Sequence, residues 1–142
     1  MSSYSETCLD ASVIIRFLTS TPTGELKELW QEWTDAGVVL HAPALLRYEV
    51  VNGIYRLRKA GMLSEAAAKG VITKVLRMPL VLHDDDRLHV RAFELAADHK
   101  LPATYDSHYL ALAERMDVEF WTADAKLVKA VEHRLPWVRL VS

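Results

Sequence analysis

The sequence is poor in cysteine, in glycine and in long apolar runs, and each shortage excludes a class of protein. Cys8 is the single cysteine among 142 residues, which excludes an internal disulfide and a CxxC metal site and suits a reducing cytosol. Five glycines and no GxGxxG or P-loop run argue against a nucleotide-binding domain. No apolar run approaches the ~20 residues of a membrane span, and the start of the chain lacks a basic-then-apolar signal. We therefore expect a cytoplasmic protein with no membrane segment.

The sequence also lacks a large excess of either positive or negative charge, since the formal net charge is only -2. No broad basic surface of the kind that binds nucleic acid in general is predicted. A nucleic-acid substrate would have to be held by local Lys and Arg side chains and by metal. Hydrophobic residues make up 51% of the chain and charged residues 25%, as in a globular protein. The length predicts a single domain over residues 1–142.

Strand-like and helix-like runs alternate along the chain. We predict strands at 7–10, 38–40, 80–82, 118–121 and 138–140. We predict helices at 11–18, 23–36, 43–59, 64–77, 84–97, 107–116 and 125–133. In the third helix Pro43 takes a favoured first-turn position. Strands alternating with helices predict an α/β fold with a central parallel sheet.

Three aspartates, Asp10, Asp106 and Asp124, stand where an extended run gives way to a helix. In parallel α/β folds, ligands bind outside the carboxyl ends of the strands, so this placement favours a common site. Each aspartate taken alone is more simply interpreted as a helix N-cap. An N-cap can also be a metal ligand, and three at one edge are less easily explained by capping.

The fourth acid, Glu49, lies well inside the predicted long helix and is therefore no N-cap. Leu45 and Leu46 flank it on the helical wheel, so we expect its carboxylate to be partly shielded from water. Gly53, one turn later, leaves room beside it. The commoner alternative is a surface glutamate on an amphipathic helix. Basic side chains mark a different face of this helix as the solvated one, which favours a functional role.

Four segments that contain these acids resemble the PIN-domain ribonucleases, and within them the VapC-type toxins of toxin–antitoxin pairs. They are CLDASVII at 8–15, APALLRYEVVN at 42–52, TYDSHYLALAE at 104–114 and WTADAKL at 121–127. No one segment is specific, but all four in this order are, and the resemblance covers essentially the whole chain. The resemblance implies a three-layer α/β/α fold with a parallel sheet and a Mg²⁺- or Mn²⁺-dependent endoribonuclease site.

The resemblance also implies roles for individual residues. Asp10, Glu49, Asp106 and Asp124 would be the acidic quartet of the site. Relatives often use a hydroxyl or amide near these acids, and the matching positions here are Ser12, Asn52 and Thr122. An RNA substrate, a cognate antitoxin protein and a homodimer are implied as partners, with Trp30 and Trp33 either in the core or lining an antitoxin groove. His108 departs from the small residue that is more usual there.

Hard carboxylate ligands, without cysteines or paired histidines, select Mg²⁺ or Mn²⁺ over zinc. Such ions would activate a water and neutralise the leaving oxygen of a phosphodiester. By family analogy the products carry 5′-phosphate and 3′-hydroxyl ends. Arg56 and Lys126 are candidate phosphate contacts, although each is more simply interpreted as an ordinary solvated charge.

Other interpretations remain open from the sequence. A receiver domain would need paired acids after the first strand and an aspartate after the third, which Leu9-Asp10 and Leu82-His83 supply poorly. Within the family, a PIN nuclease of RNA processing or a non-catalytic PIN scaffold is the alternative to a toxin. Asp84-Asp85-Asp86 resembles a metal cluster, but acids at a helix start more often favour the helix dipole.

Overall fold

A parallel sheet flanked by helices is the framework of the protein, as a computed structural model of residues 5–20 and 24–141 shows. In these ranges the strands are β1 (Glu6–Leu9), β2 (Val39–Pro43), β3 (Val81–His83), β4 (Phe120–Thr122) and β5 (Val138–Leu140). The helices are α1 (Ala11–Thr19), α2 (Gly24–Ala36), α3 (Leu46–Lys59), α4 (Glu65–Arg77), α5 (Asp86–Asp98), α6 (Tyr105–Met116) and α7 (Ala125–Val131). The predicted α/β/α fold is thereby confirmed.

The order of the strands brings distant segments of the chain to one edge. It is β3-β2-β1-β4-β5, and every neighbouring pair is parallel. The order reverses at β1, which lies between β2 and β4 with Leu9 opposite Trp121. A reversal of this kind opens a crevice at the carboxyl ends of the two central strands. Residues that follow β1 and β4 therefore meet there.

The central strands are buried on both faces, as is usual in parallel sheets. Cys8 is fully buried in β1, and this burial raises the pKa of its thiol to about 12. Trp33 is buried edge-on against Trp121, whereas Trp30 is half-buried and stacks on Phe17. Among the residues described, no helix is long and apolar enough to cross a bilayer.

The start of α3 differs from the prediction. Pro43 is the last residue of β2 and pairs with His83, so placing it in the first helical turn was wrong. The strand continues to Pro43 because the parallel ladder with β3 does, and α3 begins only at Leu46. Glu49 accordingly lies in the first turn of α3, not well inside it. The predicted start of the second helix at Thr23 lies outside the described residues.

Gly53 has a packing role. A Cβ atom there would overlap Cδ1 of Ile15 in α1, so the missing side chain lets α1 and α3 pack closely. The expectation that Gly53 leaves open room beside Glu49 was wrong, because Ile15 fills that room. The close approach of the two helices instead fixes the distance between α1, which follows Asp10, and α3, which carries Glu49.

Candidate metal centre

Asp10 lies at the centre of a dense hydrogen-bond network. Its Oδ1 caps α1 by accepting from the backbone N–H groups of Ser12 at 3.0 Å and Val13 at 3.3 Å, and from the Ser12 hydroxyl at 2.5 Å. Its Oδ2 accepts from the Thr122 hydroxyl at 2.5 Å. The residue is only 6% exposed, and this burial raises the pKa of Asp10 from 3.8 to about 6 although the hydrogen bonds oppose the shift.

Two hydroxyls tie the end of β4 to Asp10. The Thr122 hydroxyl also accepts from the backbone N–H of Asp124 at 3.0 Å, and the Ser12 hydroxyl accepts from that of Ala123 at 2.9 Å. The structure thus brings Ser12 and Thr122 to the predicted site. Asn52 is exposed on α3, and within the described part of the chain its side chain contacts none of the four acids by a hydrogen bond.

Glu49 reaches the site from the first turn of α3. Its half-buried carboxylate accepts from the hydroxyl of Tyr109 at 2.5 Å. Burial raises the pKa of Glu49, the Tyr109 hydrogen bond lowers it, and the charges of Asp10 and Asp106 raise it further. The expected partial shielding of Glu49 is confirmed.

Asp106 and Asp124 differ in their structural roles. Asp124 caps α7 by accepting from the N–H groups of Lys126 at 3.0 Å and Leu127 at 3.2 Å. Asp106 does not cap a helix: α6 begins at Tyr105, after Thr104 in the cap position, so the prediction that Asp106 opens its helix was wrong. Within the described residues its half-buried carboxylate has no hydrogen bond or ion pair.

The four acids are close enough to affect one another electrostatically. Burial, and after it the charge of Asp124, raises the pKa of Asp106. The charge of Asp106 in turn raises the pKa values of Asp10 and Glu49. Across the described ranges, none of the four forms an ion pair with Lys, Arg or His. The fold therefore gathers negative charge at one point, and no cation of the described residues pairs with it.

The carboxylate oxygens of the four acids are suitable ligands for a divalent cation, although the described residues do not form a complete coordination shell. In residues 5–20 and 24–141, no three His, Cys, Asp or Glu side chains are arranged to hold an ion. Mg²⁺ needs no such complete shell, since it keeps several waters and is bound through one or two carboxylates. Asp10 and Asp106 suit this role best, because Asp10 is buried beside the other acids and Asp106 has no competing partner among the residues that the structure describes.

Sequence reasoning missed Tyr109. It is fully buried, its ring stacks on Phe120 at 5.5 Å, and burial raises its pKa well above 10. A signal was present, because Tyr109 follows Asp106 by three residues and so shares its helix face. The candidate phosphate contacts Arg56 and Lys126 are both exposed, and the described residues offer neither of them an ion pair.

Four of the histidines and Asp85 of the acidic triplet also have partners in the fold. His41 contacts His83 at 2.9 Å, and His89 contacts His108 at 2.9 Å. Asp85 caps α5 by accepting from the N–H of Leu88, as expected of acids at a helix start.

Comparison with known proteins identifies the family. A family profile described as PIN domain matches residues 7–132. Ribonuclease VapC12 of Mycobacterium tuberculosis is 27% identical over 125 residues, which cover 88% of this chain and 92% of that protein. Ribonuclease VapC3 of Pyrobaculum aerophilum is 30% identical over 92 residues, covering 63% and 70%. The crystal structure of PAE2754 from Pyrobaculum aerophilum has a similar fold, with a TM-score of 0.65, 22% identity and coverage of 88% and 85%.

Proposed function

Because the chain belongs to the PIN-domain family, we propose that it is a Mg²⁺- or Mn²⁺-dependent endoribonuclease. Its site consists of the acids Asp10, Glu49, Asp106 and Asp124. One observation carries the proposal: burial, and after it the charges of neighbouring acids, raises the pKa values of Asp10, Glu49 and Asp106, and no cation of the described residues pairs with any of the four carboxylates. Relatives named as ribonucleases, similar over most of their length, support the same reaction.

In such a site the residues of this chain have different roles. When bound at this site, a divalent ion would supply a water of lowered pKa and would neutralise charge on the phosphodiester. Asp10 and Asp106 would hold such an ion, and Ser12 and Thr122 fix the orientation of Asp10 through its two oxygens. Glu49, positioned by Tyr109, presents a carboxylate of raised pKa that accepts a proton from the attacking water. No covalent intermediate with the enzyme is needed.

We also propose that the protein is the toxin of a type II toxin–antitoxin pair, with an antitoxin protein and a second copy of the chain as partners. The similarity to VapC ribonucleases supports this assignment. Two apolar surfaces support protein partners. One is a groove of about 420 Å³ beside Trp30 and Met78. The other is the exposed face of α3 with Tyr48 and Tyr55.

Cleavage of RNA by the purified protein tests the catalytic proposal. Activity should require Mg²⁺ or Mn²⁺, should cease in excess EDTA, and should be lost in Asp10→Asn. Asp86→Asn is the matched control, since Asp86 is an exposed acid in the first turn of α5. Wild-type cleavage that persists in EDTA would refute the metal-dependent mechanism. Absence of cleavage of any RNA would favour the non-catalytic scaffold.

Inducible expression in a bacterial host tests the toxin assignment. Wild-type protein should arrest growth and create new RNA ends at a defined site, whereas Asp10→Ala should do neither. A small open reading frame directly upstream, whose product restores growth on co-expression, identifies the antitoxin. Cleavage without growth arrest would instead indicate a PIN nuclease of RNA processing.

A further inference from the structure

A second cavity opens at the same edge of the sheet as the acids. It encloses about 200 Å³ and lies beyond the ends of β2 and β3, against the residues that lead into α3 and the first residues of α6. Leu45, Tyr105 and His108 are among the residues that line it. Pockets that hold whole small-molecule ligands measure ~300–1,000 Å³, so the occupant here is limited to a fragment the size of one ring system.

The cavity is one helical turn from the proposed catalytic centre. Leu45 precedes Glu49 by four residues, and Tyr105 precedes Tyr109 by four, so each lies directly above its partner on the same helix face. The side chains of Glu49 and Tyr109 are hydrogen-bonded to each other. The two helices therefore carry the cavity and the acids side by side.

One wall of the cavity is apolar and its rim is aromatic. Pro43, Leu45 and Leu88 form part of the wall. Tyr105 is 64% exposed although it is a large aromatic residue, and it directly precedes the half-buried Asp106. An exposed ring beside a catalytic acid offers a face on which a flat group can stack.

Another part of the cavity wall consists of two hydrogen-bonded imidazole rings. Asp84 contacts Nε2 of His89 at 2.8 Å, Nδ1 of His89 contacts Nε2 of His108 at 2.9 Å, and Nδ1 of His108 contacts the carbonyl of Thr104 at 2.5 Å. The two imidazoles meet edge to face, with centroids 4.9 Å apart. Because every ring nitrogen of His89 and His108 is engaged, this wall offers ring faces and edges to an occupant.

We propose that this cavity binds one unpaired nucleobase of the RNA next to the cleaved phosphodiester, with Tyr105 as the stacking residue. The proposal rests on the proposed ribonuclease function. Single-stranded RNA is commonly held by bases stacked on aromatic side chains. A phosphate is a poorer occupant, because the described residues that line the cavity include no Lys or Arg.

Fluorescence of 2-aminopurine, which falls when the base stacks, tests the proposal without relying on cleavage. The protein is Asp10→Asn, which keeps the RNA intact, and the probes are random-sequence single-stranded RNAs with 2-aminopurine at successive positions. Tyr105→Leu is compared with the parent, with Tyr105→Phe, which keeps the ring, and with Tyr55→Leu. Tyr55 is the matched control, because it is similarly exposed at 55% but lines a different surface on α3.

We expect quenching in the parent, in Tyr105→Phe and in Tyr55→Leu, and its loss in Tyr105→Leu. Binding by Tyr105→Leu should weaken by about five- to 150-fold, since stacking is worth ~1–3 kcal/mol per base. Equal quenching with and without the Tyr105 ring overturns the proposal, and so does a parent that binds none of the RNAs at low salt. Quenching by a protein whose wild-type form cleaves no RNA refutes the catalytic function but leaves the base site standing.

Discussion

The hydroxyl of Tyr109 donates to Oε1 of Glu49 at 2.5 Å and links α6 to the first turn of α3. Tyr109 is fully buried, so this bond fixes Oε1 of Glu49 from the interior of the protein. The other carboxylate oxygen, Oε2, takes no part in the bond. The hydrogen bond opposes the burial that raises the pKa of Glu49. The position and the protonation of Glu49 thus both depend on Tyr109.

Tyr109→Phe should move the pH dependence of cleavage upward. Without the hydroxyl, burial and the neighbouring acids raise the pKa of Glu49 further, so its charged form appears only at higher pH. The acidic limb of the pH–rate profile should shift to higher pH, and stability should fall by about 1–3 kcal/mol. Tyr55→Phe, which removes an exposed hydroxyl, should leave the profile unchanged. An unshifted acidic limb in Tyr109→Phe would exclude Glu49 as the titrating group.

Stability of the metal-free protein should rise as the pH is lowered from 7 towards 4. Asp10 binds a proton more readily in the folded protein, with a pKa of about 6, than in the unfolded chain, near 3.8. Its charged form therefore destabilises the folded state above pH 6 by about 3 kcal/mol. This penalty is lost progressively as the pH falls from about 6 to 3.8. Thermal unfolding in EDTA across this range is the measurement, and a melting temperature that falls steadily from pH 7 to 5 would contradict it.

Asp10→Asn should make the metal-free protein more stable at pH 7, by about 1–3 kcal/mol, because it removes a buried charge. Mg²⁺ or Mn²⁺ should raise the melting temperature of the wild type, since an ion that binds only the folded state stabilises it, but not that of the variant. Asp86→Asn should behave like wild type in both respects. A variant less stable than wild type in EDTA would show that the hydrogen bonds to Asp10 outweigh its burial.

Thr122→Val should weaken metal binding and slow RNA cleavage, in addition to a modest loss of folding stability. The substitution keeps the side-chain shape but removes the hydroxyl that donates to Asp10 and accepts from the N–H of Asp124. We expect a loss of about 1–3 kcal/mol in stability together with weaker metal binding. Thr7→Val is matched to it, because the buried Thr7 hydroxyl donates to the carbonyl of Glu119 at 3.1 Å, away from the acids. Thr7→Val should cost stability and leave metal affinity intact, and equal metal affinity in both variants would deny Thr122 a positioning role.

The sequence was sufficient for the fold class and for the placement of Asp10 and Asp124 after β1 and β4, because strand-to-helix junctions in a parallel sheet fall at one edge. It was insufficient for helix starts. Asp106 and Glu49 moved relative to their helix ends, since cap positions depend on how far the flanking strand or loop stays paired. The sequence could not predict two contacts between helices, the Tyr109–Glu49 hydrogen bond and the close approach of Ile15 to Gly53. Both depend on how helices that are far apart in the chain pack against each other.

Arg56→Gln tests whether RNA lies along α3. If Arg56 contacts a phosphate, the variant should bind RNA more weakly and the slope of log affinity against log salt should fall by about 0.7–0.9. Arg58→Gln is the control, because Arg58 is engaged with Glu65 at 3.4 Å. An unchanged salt slope in Arg56→Gln removes that residue from the RNA path.

Gly53→Ala should lower the free energy of unfolding by about 1–3 kcal/mol relative to Gly70→Ala, because overpacking a core carries a cost of that size. Both glycines lie inside helices, but an added Cβ meets Ile15 Cδ1 at Gly53 and nothing within 4 Å at Gly70. Gly70→Ala should therefore gain up to about 1 kcal/mol from helix propensity. Combining Gly53→Ala with Ile15→Val, which deletes the overlapping methyl, should recover most of the difference in a double-mutant cycle of urea unfolding. Additive effects in that cycle would mean that Gly53 is needed for a reason other than the contact between α1 and α3.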